Sequence, residues 1–287
     1  MARKLMLVLA CAALAVSAGA VSRGALDDGK QALAYGGNRL QAVDYWAGAS
    51  PDAPLVVFVH GGGWSRGDKR MMDGSDKLAH WRAQGYAVAS VNYRLVPDAT
   101  VEQQASDVAA AVALLRGRAG VLGFDRRRIA LVGHSAGAHL VALVGTDPAY
   151  LSGAGLSLAD IDGVVPLDGA AYNVAQQLDE GPRIMGRMYR QAFGADAARQ
   201  ERLSPTAQAA SPNAPAFLIL HVQRPDGIKQ SEALGAALRR AGTDAEVRGF
   251  SGTGLAGHAE INRQMGDPDY PATPVLDAFL ARVFSEG

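Results

Sequence analysis

Six short apolar runs, parted by stretches long enough for helices, set the first limit on what this chain can become. Leu55 to His60 (LVVFVH) is continuous and rich in β-branched residues, as a strand buried on both faces requires. Tyr86 to Tyr93, Ile129 to Gly133, Ile161 to Leu167 and Ala216 to His221 are similar, and Asp244 to Phe250 is the last and least apolar. Between them, Val101, Ala105, Val108, Val112 and Leu115 fall at spacings of four and three, which makes one apolar face of a helix. Helical stretches also follow the third and fifth runs directly, at Ala136 to Val144 and Ser231 to Arg240. Strand–helix alternation of this kind builds an α/β fold, a mainly parallel central sheet with helices on both faces. Ligands of such sheets sit outside the carboxyl ends of the strands.

One segment breaks the alternation. Tyr172 to Ser204 carries Ile184, Met185, Met188, Tyr189 and Phe193 at roughly helical spacing. It reads either as a helix packed on the body of the domain or as a small cap insertion over the site (172–204).

The start of the chain reads as an export signal over residues 1–20. Arg3 and Lys4 precede an apolar run from Leu5 to Val16, and Ala18-x-Ala20 resembles a cleavage site. The run is short for a bilayer span. A lipobox reading of Val8-Leu9-Ala10-Cys11 is the weaker one, because Cys11 lies so close to the start. The expectation is a secreted or periplasmic protein with a single domain over 21–287 and no stable membrane insertion. Cys11 is the only cysteine and would leave with the signal, so neither a disulfide nor a thiol nucleophile is expected in the mature protein. The 28 basic and 28 acidic residues balance. That gives no electrostatic case for nucleic acid and favours a small or uncharged substrate. Neither a metal-ligand cluster such as H-E-x-x-H nor a dinucleotide motif stands out, so no metal and no cofactor are expected. The sequence does not reveal the oligomeric state.

Two motifs carry the chemistry. Gly133-His134-Ser135-Ala136-Gly137 is a G-x-S-x-G pattern set between a strand and a helix, where a sharp turn would lift the Ser135 hydroxyl off the top of the sheet. His60-Gly61-Gly62-Gly63-Trp64 ends the first apolar run, and its bare backbone N–H groups could converge on one small anion. A phosphate loop is the rival for this second motif, but the G-x-x-x-x-G-K-[ST] pattern is missing.

Together HGGGW and GHSAG resemble the HGGG-motif esterase/lipase branch of the α/β-hydrolase superfamily, which includes hormone-sensitive-lipase-like and arylformamidase-like carboxylesterases. The likeness runs from about Leu55 to His258. It implies the α/β-hydrolase fold, with Gly62, Gly63 and Ala136 as oxyanion donors. Arg94, in Asn92-Tyr93-Arg94-Leu95, falls where the branch has a structural element after the strand. The fold's chain order of Ser, acid, then His requires a late histidine on a loop. Of the six histidines only His258, in the glycine-bearing stretch Ser251 to His258, meets both conditions. His60 reads as a residue that shapes the glycine loop, His80 lies on a surface helix, His139 packs one turn past the serine and His221 ends a strand.

The acid is open between two residues. Asp226 follows the Ala216–His221 run at the fold's usual position, although the loop is shorter than the branch's common pattern and lacks its Gly after the histidine. Asp168, at the end of the preceding strand, is the rival. Trp64, His134, Met185 and Met188 are candidate pocket walls.

The expected activity is hydrolysis of small or uncharged esters through a Ser135–His258–Asp226 triad and an acyl-enzyme. Alternatives are arylformamidase-like amide hydrolysis, acyl removal from polysaccharide side chains and, from another class, an inactive binding module of the same fold.

Overall fold

The computed structural model describes residues 29–210 and 212–286. The export segment and Cys11 lie outside the described residues. Eight strands form one sheet in the order β1-β2-β4-β3-β5-β6-β7-β8. They are β1 (Gln31–Ala34), β2 (Ala42–Trp46), β3 (Leu55–Val59), β4 (Ala87–Val91), β5 (Ile129–His134), β6 (Gly163–Leu167), β7 (Ala216–Gln223) and β8 (Asp244–Thr253). The first two pairings, β1 with β2 and β2 with β4, are antiparallel; all others are parallel.

All six apolar runs became strands, and the alternation along β3 shows why a continuous run was needed. Leu55, Val57 and Val59 pack into the core on one face, Val56 and Phe58 into the core on the other. A sheet covered on both sides calls for largely apolar central strands. The outermost strand β8 is less buried than the central ones, and its residues are accordingly mixed.

β1 and β2 went unread in the sequence for two physical reasons. β1 is a largely exposed edge without an apolar signature. β2 (AVDYW) has a buried charge in its middle, where Asp44 is paired with Lys69 Nζ at 2.5 Å.

The helix Ala136–Thr146 is buried along its whole length. Its apolar, small-residue composition lets it lie close on the sheet and seats the Ser135 turn at one end. The amphipathic pattern of Val101 to Leu115 becomes a helix over Val101–Gly117, closed at its start by a capping box between Thr100 and Gln103. Arg94 clamps this helix to the end of β4 by a two-pronged contact with Asp107, Nε to Oδ2 at 2.9 Å and Nη2 to Oδ1 at 2.8 Å. That is the structural role the motif implied.

The segment between β6 and β7 folds into short helices, Val174–Glu180, Gly186–Phe193 and Ala197–Arg202. Two further helices differ from the reading of the sequence. The helix after β7 begins at Pro225, not at Ser231, and runs to Arg240. The stretch before His258 is not an open loop, because a helix spans Gly254–Gln264 and carries His258 in its second turn. Among the described residues, no helix is long and apolar enough to cross a membrane.

Candidate active site

Ser135 sits between the end of β5 and the start of the helix Ala136–Thr146, with φ 58° and ψ −117°. That backbone region is costly for a residue with a side chain. What enforces it is the close approach of the helix to the sheet: a Cβ on Gly137 would stand 2.1 Å from the carbonyl oxygen of Val59. Four non-glycine residues among those described have positive φ: Trp64, Ser135, Asp168 and Ala171. All four flank this site, and strain of this kind concentrates where chemistry demands a fixed geometry.

His258 Nε2 lies 3.0 Å from Ser135 Oγ, and His258 Nδ1 lies 2.5 Å from Asp168 Oδ2. The acid in reach of the histidine is therefore Asp168, at the end of β6, and not Asp226. Asp226 is placed elsewhere because the helix after β7 starts at Pro225, which fixes Asp226 in its first turn. From there its carboxylate accepts from Gln177 Nε2 at 3.1 Å and lies 3.5 Å from Arg224 Nη1. It faces a separate small crevice that Ser135 does not reach.

Asp168 is fully buried, and its second oxygen accepts from the Val222 backbone N–H at 3.1 Å. Burial by itself would raise the pKa of this carboxyl. The hydrogen bond from His258 and the charge of Arg224 outweigh burial and hold it below the ordinary carboxylate range. Asp168 is thus an anion at neutral pH, the state needed to orient an imidazole and stabilise its protonated form.

The glycine loop lies beside the serine. Gly62 has φ +124°, and a Cβ there would stand 2.0 Å from the Arg66 carbonyl oxygen, so the loop can close in this shape only without a side chain. Among the described residues, the N–H groups of Gly62 and Gly63 donate to no protein acceptor. Ala136 opens its helix, so its N–H too is without an intrahelical partner. His60 braces the loop from beneath, with Nδ1 donating to the Gly61 carbonyl at 2.7 Å and its ring stacked on Tyr93 at 4.4 Å.

A cavity of about 370 Å³ opens over Ser135 and His258. All four candidate wall residues line it: Trp64, His134, Met185 and Met188. Trp64 is nonetheless chiefly a core residue, buried against His139, Tyr189 and Phe193. His134 also has a structural task. Burial, and then the neighbouring His258, lower its pKa to about 3, so it stays neutral and its Nε2 donates to the His258 carbonyl at 3.0 Å. This bond pins the helix that carries the base. The inserted segment adds Pro182, Met185, Met188 and Tyr189 to the walls.

Sequence reasoning passed over Arg224, which lines the cavity and whose Nε lies 3.1 Å from Asp168 Oδ2. Its only signal was its place between a strand and a proline. The remaining histidines behave as packing residues: His80 pairs with Asp277 at 2.9 Å, His139 bonds the Leu203 carbonyl at 2.8 Å, and His221 is buried at the end of β7. Among the described residues, no group of three or more His, Cys, Asp or Glu is gathered as metal ligands would be.

A mainly parallel eight-stranded sheet, a serine on a strained strand-to-helix turn and an HGGG loop beside it define an α/β-hydrolase of the HGGG-motif esterase/lipase type. The chain belongs to the BD-FAE family, whose model it matches over residues 45–238 of the 287. It is similar to the esterase LipC of Mycobacterium tuberculosis, at 31% identity over 208 residues, which cover 68% of this chain and 51% of LipC. It is also similar to the esterase LipQ of the same organism, at 30% identity over 226 residues, covering 73% of this chain and 52% of LipQ. The chain thus spans about half the length of these two curated relatives. Among solved structures, esterase B from Lactobacillus rhamnosis (HN001) has the same fold, with a TM-score of 0.73 at 22% identity, covering 90% of this chain and 86% of that one.

Proposed function

We propose that this protein is a serine carboxylesterase that works through an acyl-enzyme on Ser135. The observation that carries the reading is the unbroken line from Ser135 Oγ to His258 Nε2 and from His258 Nδ1 to Asp168, at 3.0 and 2.5 Å. In this mechanism His258 Nε2 takes the hydroxyl proton as Ser135 Oγ attacks the ester carbonyl. Asp168 stabilises the imidazolium that forms. Negative charge develops on the former carbonyl oxygen and is received by the N–H groups of Gly62, Gly63 and Ala136. The imidazolium then protonates the departing alcohol. Water repeats the sequence on the acyl-enzyme and regenerates the serine. Met71, Met185, Met188 and Leu255 in the cavity walls favour an ester whose acyl or alcohol part is compact and apolar. The esterase names of LipC and LipQ support the same reaction class. The basic and apolar start of the chain supports export, a reading that expression with and without residues 1–20 and assay of each compartment would test.

The test is hydrolysis of p-nitrophenyl acyl esters of increasing chain length, with Ser135→Ala alongside and a fluorophosphonate probe as a second readout. The expected result is labelling and turnover by the wild type and a fall in kcat of ~10⁴-fold or more in the variant. A wild type that neither turns over any ester nor takes the probe would overturn the reading.

A further inference from the structure

Arg224 stands between two carboxylates, that of Asp168 at the end of β6 and that of Asp226 two residues on. Its Nε is 3.1 Å from Asp168 Oδ2, its Nη1 is 3.5 Å from Asp226 Oδ2, and its Nη2 donates to the Gly169 carbonyl at 3.0 Å. The Arg224 side chain is 8% exposed and that of Asp168 is 0% exposed. The Asp168 oxygen that faces Arg224 is the same one that receives His258 Nδ1. The guanidinium is hydrogen-bonded through Nη1 and Nη2, while Nε stays in ionic contact with Asp168 without making a hydrogen bond.

We propose that Arg224 is a positioning residue for the Asp168–His258 pair and that Asp226 is the counter-charge that holds Arg224 in place. The proposal rests on the serine-hydrolase reading above. Without Arg224, the fully buried Asp168 would lose the cation that helps to offset its burial. Burial favours protonation of a carboxyl, and a protonated Asp168 could not support an imidazolium. Arg224 removes that threat. It also sets the field at the histidine, because a fixed positive charge beyond Asp168 opposes a second one on the ring.

The arrangement reaches into the inserted helices. Gln177 Nε2 donates to Asp226 at 3.1 Å, while its Oε1 accepts from the Ala171 N–H at 3.2 Å, three residues past the acid. The same Nε2 lies 3.3 Å from the Tyr189 hydroxyl, and Tyr189 lines the cavity. The helix Val174–Glu180 is therefore fastened to Asp168 from both sides: through Asp226 and Arg224, and through the backbone at Ala171. The charged and titratable groups around the pair are Arg224, Asp226, Tyr172, Tyr189 and His134, with Lys77, Glu260 and Tyr270 farther out. Only Arg224 and Asp226 change in the test below, so the others cancel in the comparison.

The experiment is the pH dependence of kcat/KM for the wild type, Arg224→Gln, Arg224→Lys and Asp226→Asn, with NMR titration of the His258 ring as a readout independent of turnover. Arg224→Gln is expected to lose on the order of tenfold to a hundredfold in kcat/KM. Its acidic limb is expected to move up by about one pH unit, because the charge opposing the imidazolium is gone. Arg224→Lys, which keeps the charge but not the fork, is expected to bring the limb back while recovering only part of kcat. Asp226→Asn is expected to stay within about tenfold of wild type and to move the limb the opposite way, downward.

A limb and a ring titration that stay fixed in both Arg224→Gln and Asp226→Asn would overturn the proposal, leaving Arg224 as packing alone. Should Arg224→Gln fail to fold, the opposite sign expected of Asp226→Asn and the restored limb of Arg224→Lys still decide. Failure of the hydrolase reading looks different. It would show as a wild type inert to esters and probe, while the His258 ring titration would still report whether Arg224 acts on the pair.

Discussion

The serine side of the site, at the ends of β3 and β5, is shaped by backbone, whereas the acid side, at the ends of β6 and β7, is shaped by side-chain charge. On the first side Gly62 and Gly137 allow main-chain atoms to approach within distances that any Cβ would forbid, and His60 and Trp64 fill the space beneath. On the second, Asp168 is set by His258, Arg224 and the Val222 N–H, and Arg224 in turn by Asp226 and the Gly169 carbonyl. Damage to the two sides should therefore look different: loss of shape on one, and a change of field with the shape kept on the other.

The largest effect outside the triad is expected at Gly62. An alanine there meets the Arg66 carbonyl oxygen at 2.0 Å, and backbone cannot yield as a side chain can. Gly62→Ala should lose on the order of 10²- to 10³-fold in kcat, as removal of an oxyanion donor does. Gly63→Ala sharpens the point. Its Cβ would meet Met188 Sδ at 2.2 Å, the far end of a flexible side chain that can swing aside. The strain of a positive φ then costs about 1–2 kcal/mol, and the loss should be about tenfold, chiefly in KM because Met188 is pushed into the cavity. Steady-state kinetics of the two variants check both. Equal losses would mean that the loop is not held by backbone contact.

A smaller effect concerns stability. His139, beneath Trp64, is buried and neutral: burial lowers its pKa from 6.5 to about 4. The unfolded chain binds the proton first as pH falls, so this residue makes stability rise with pH between about 4 and 6.5 and removes it on acidification through that window. The slope integrates to no more than about 3 kcal/mol. In His139→Gln the amide can still donate to the Leu203 carbonyl. That variant should be about 1 kcal/mol less stable at pH 7 through lost aromatic packing, but should lose less than wild type from pH 6.5 to 4.5. Urea unfolding at both pH values reads the difference, and parallel losses would contradict it.

The same contrast explains what could be read from the chain. The glycine loop and the serine turn are local: their function needs backbone conformations, and those write themselves as G-G-G and G-x-S-x-G within five residues. The five strands β3 to β7 were legible because burial on both faces demands nearly unbroken apolar runs. The acid side is written in no such code. Asp226 and Asp168 are each an aspartate after a strand, and what separates them is that Pro225 starts a helix, which turns one away while β6 delivers the other. His258 was found by order along the chain, although the helix around it was hidden by the glycines at 252, 254 and 257. β2 was hidden by Asp44, a charge explained by its pairing with Lys69 and Lys30.

The identity of the acid is decided most directly between the two aspartates. Asp168→Asn and Asp226→Asn should be assayed side by side for kcat on one p-nitrophenyl ester, with circular dichroism to show that both fold. The expected result is a fall of ~10⁴-fold for Asp168→Asn, as for a lost triad aspartate, against a change of tenfold or less for Asp226→Asn. A reversed order, with Asp226→Asn the crippled enzyme and Asp168→Asn active, would contradict the assignment of Asp168 and the role given to Arg224 with it.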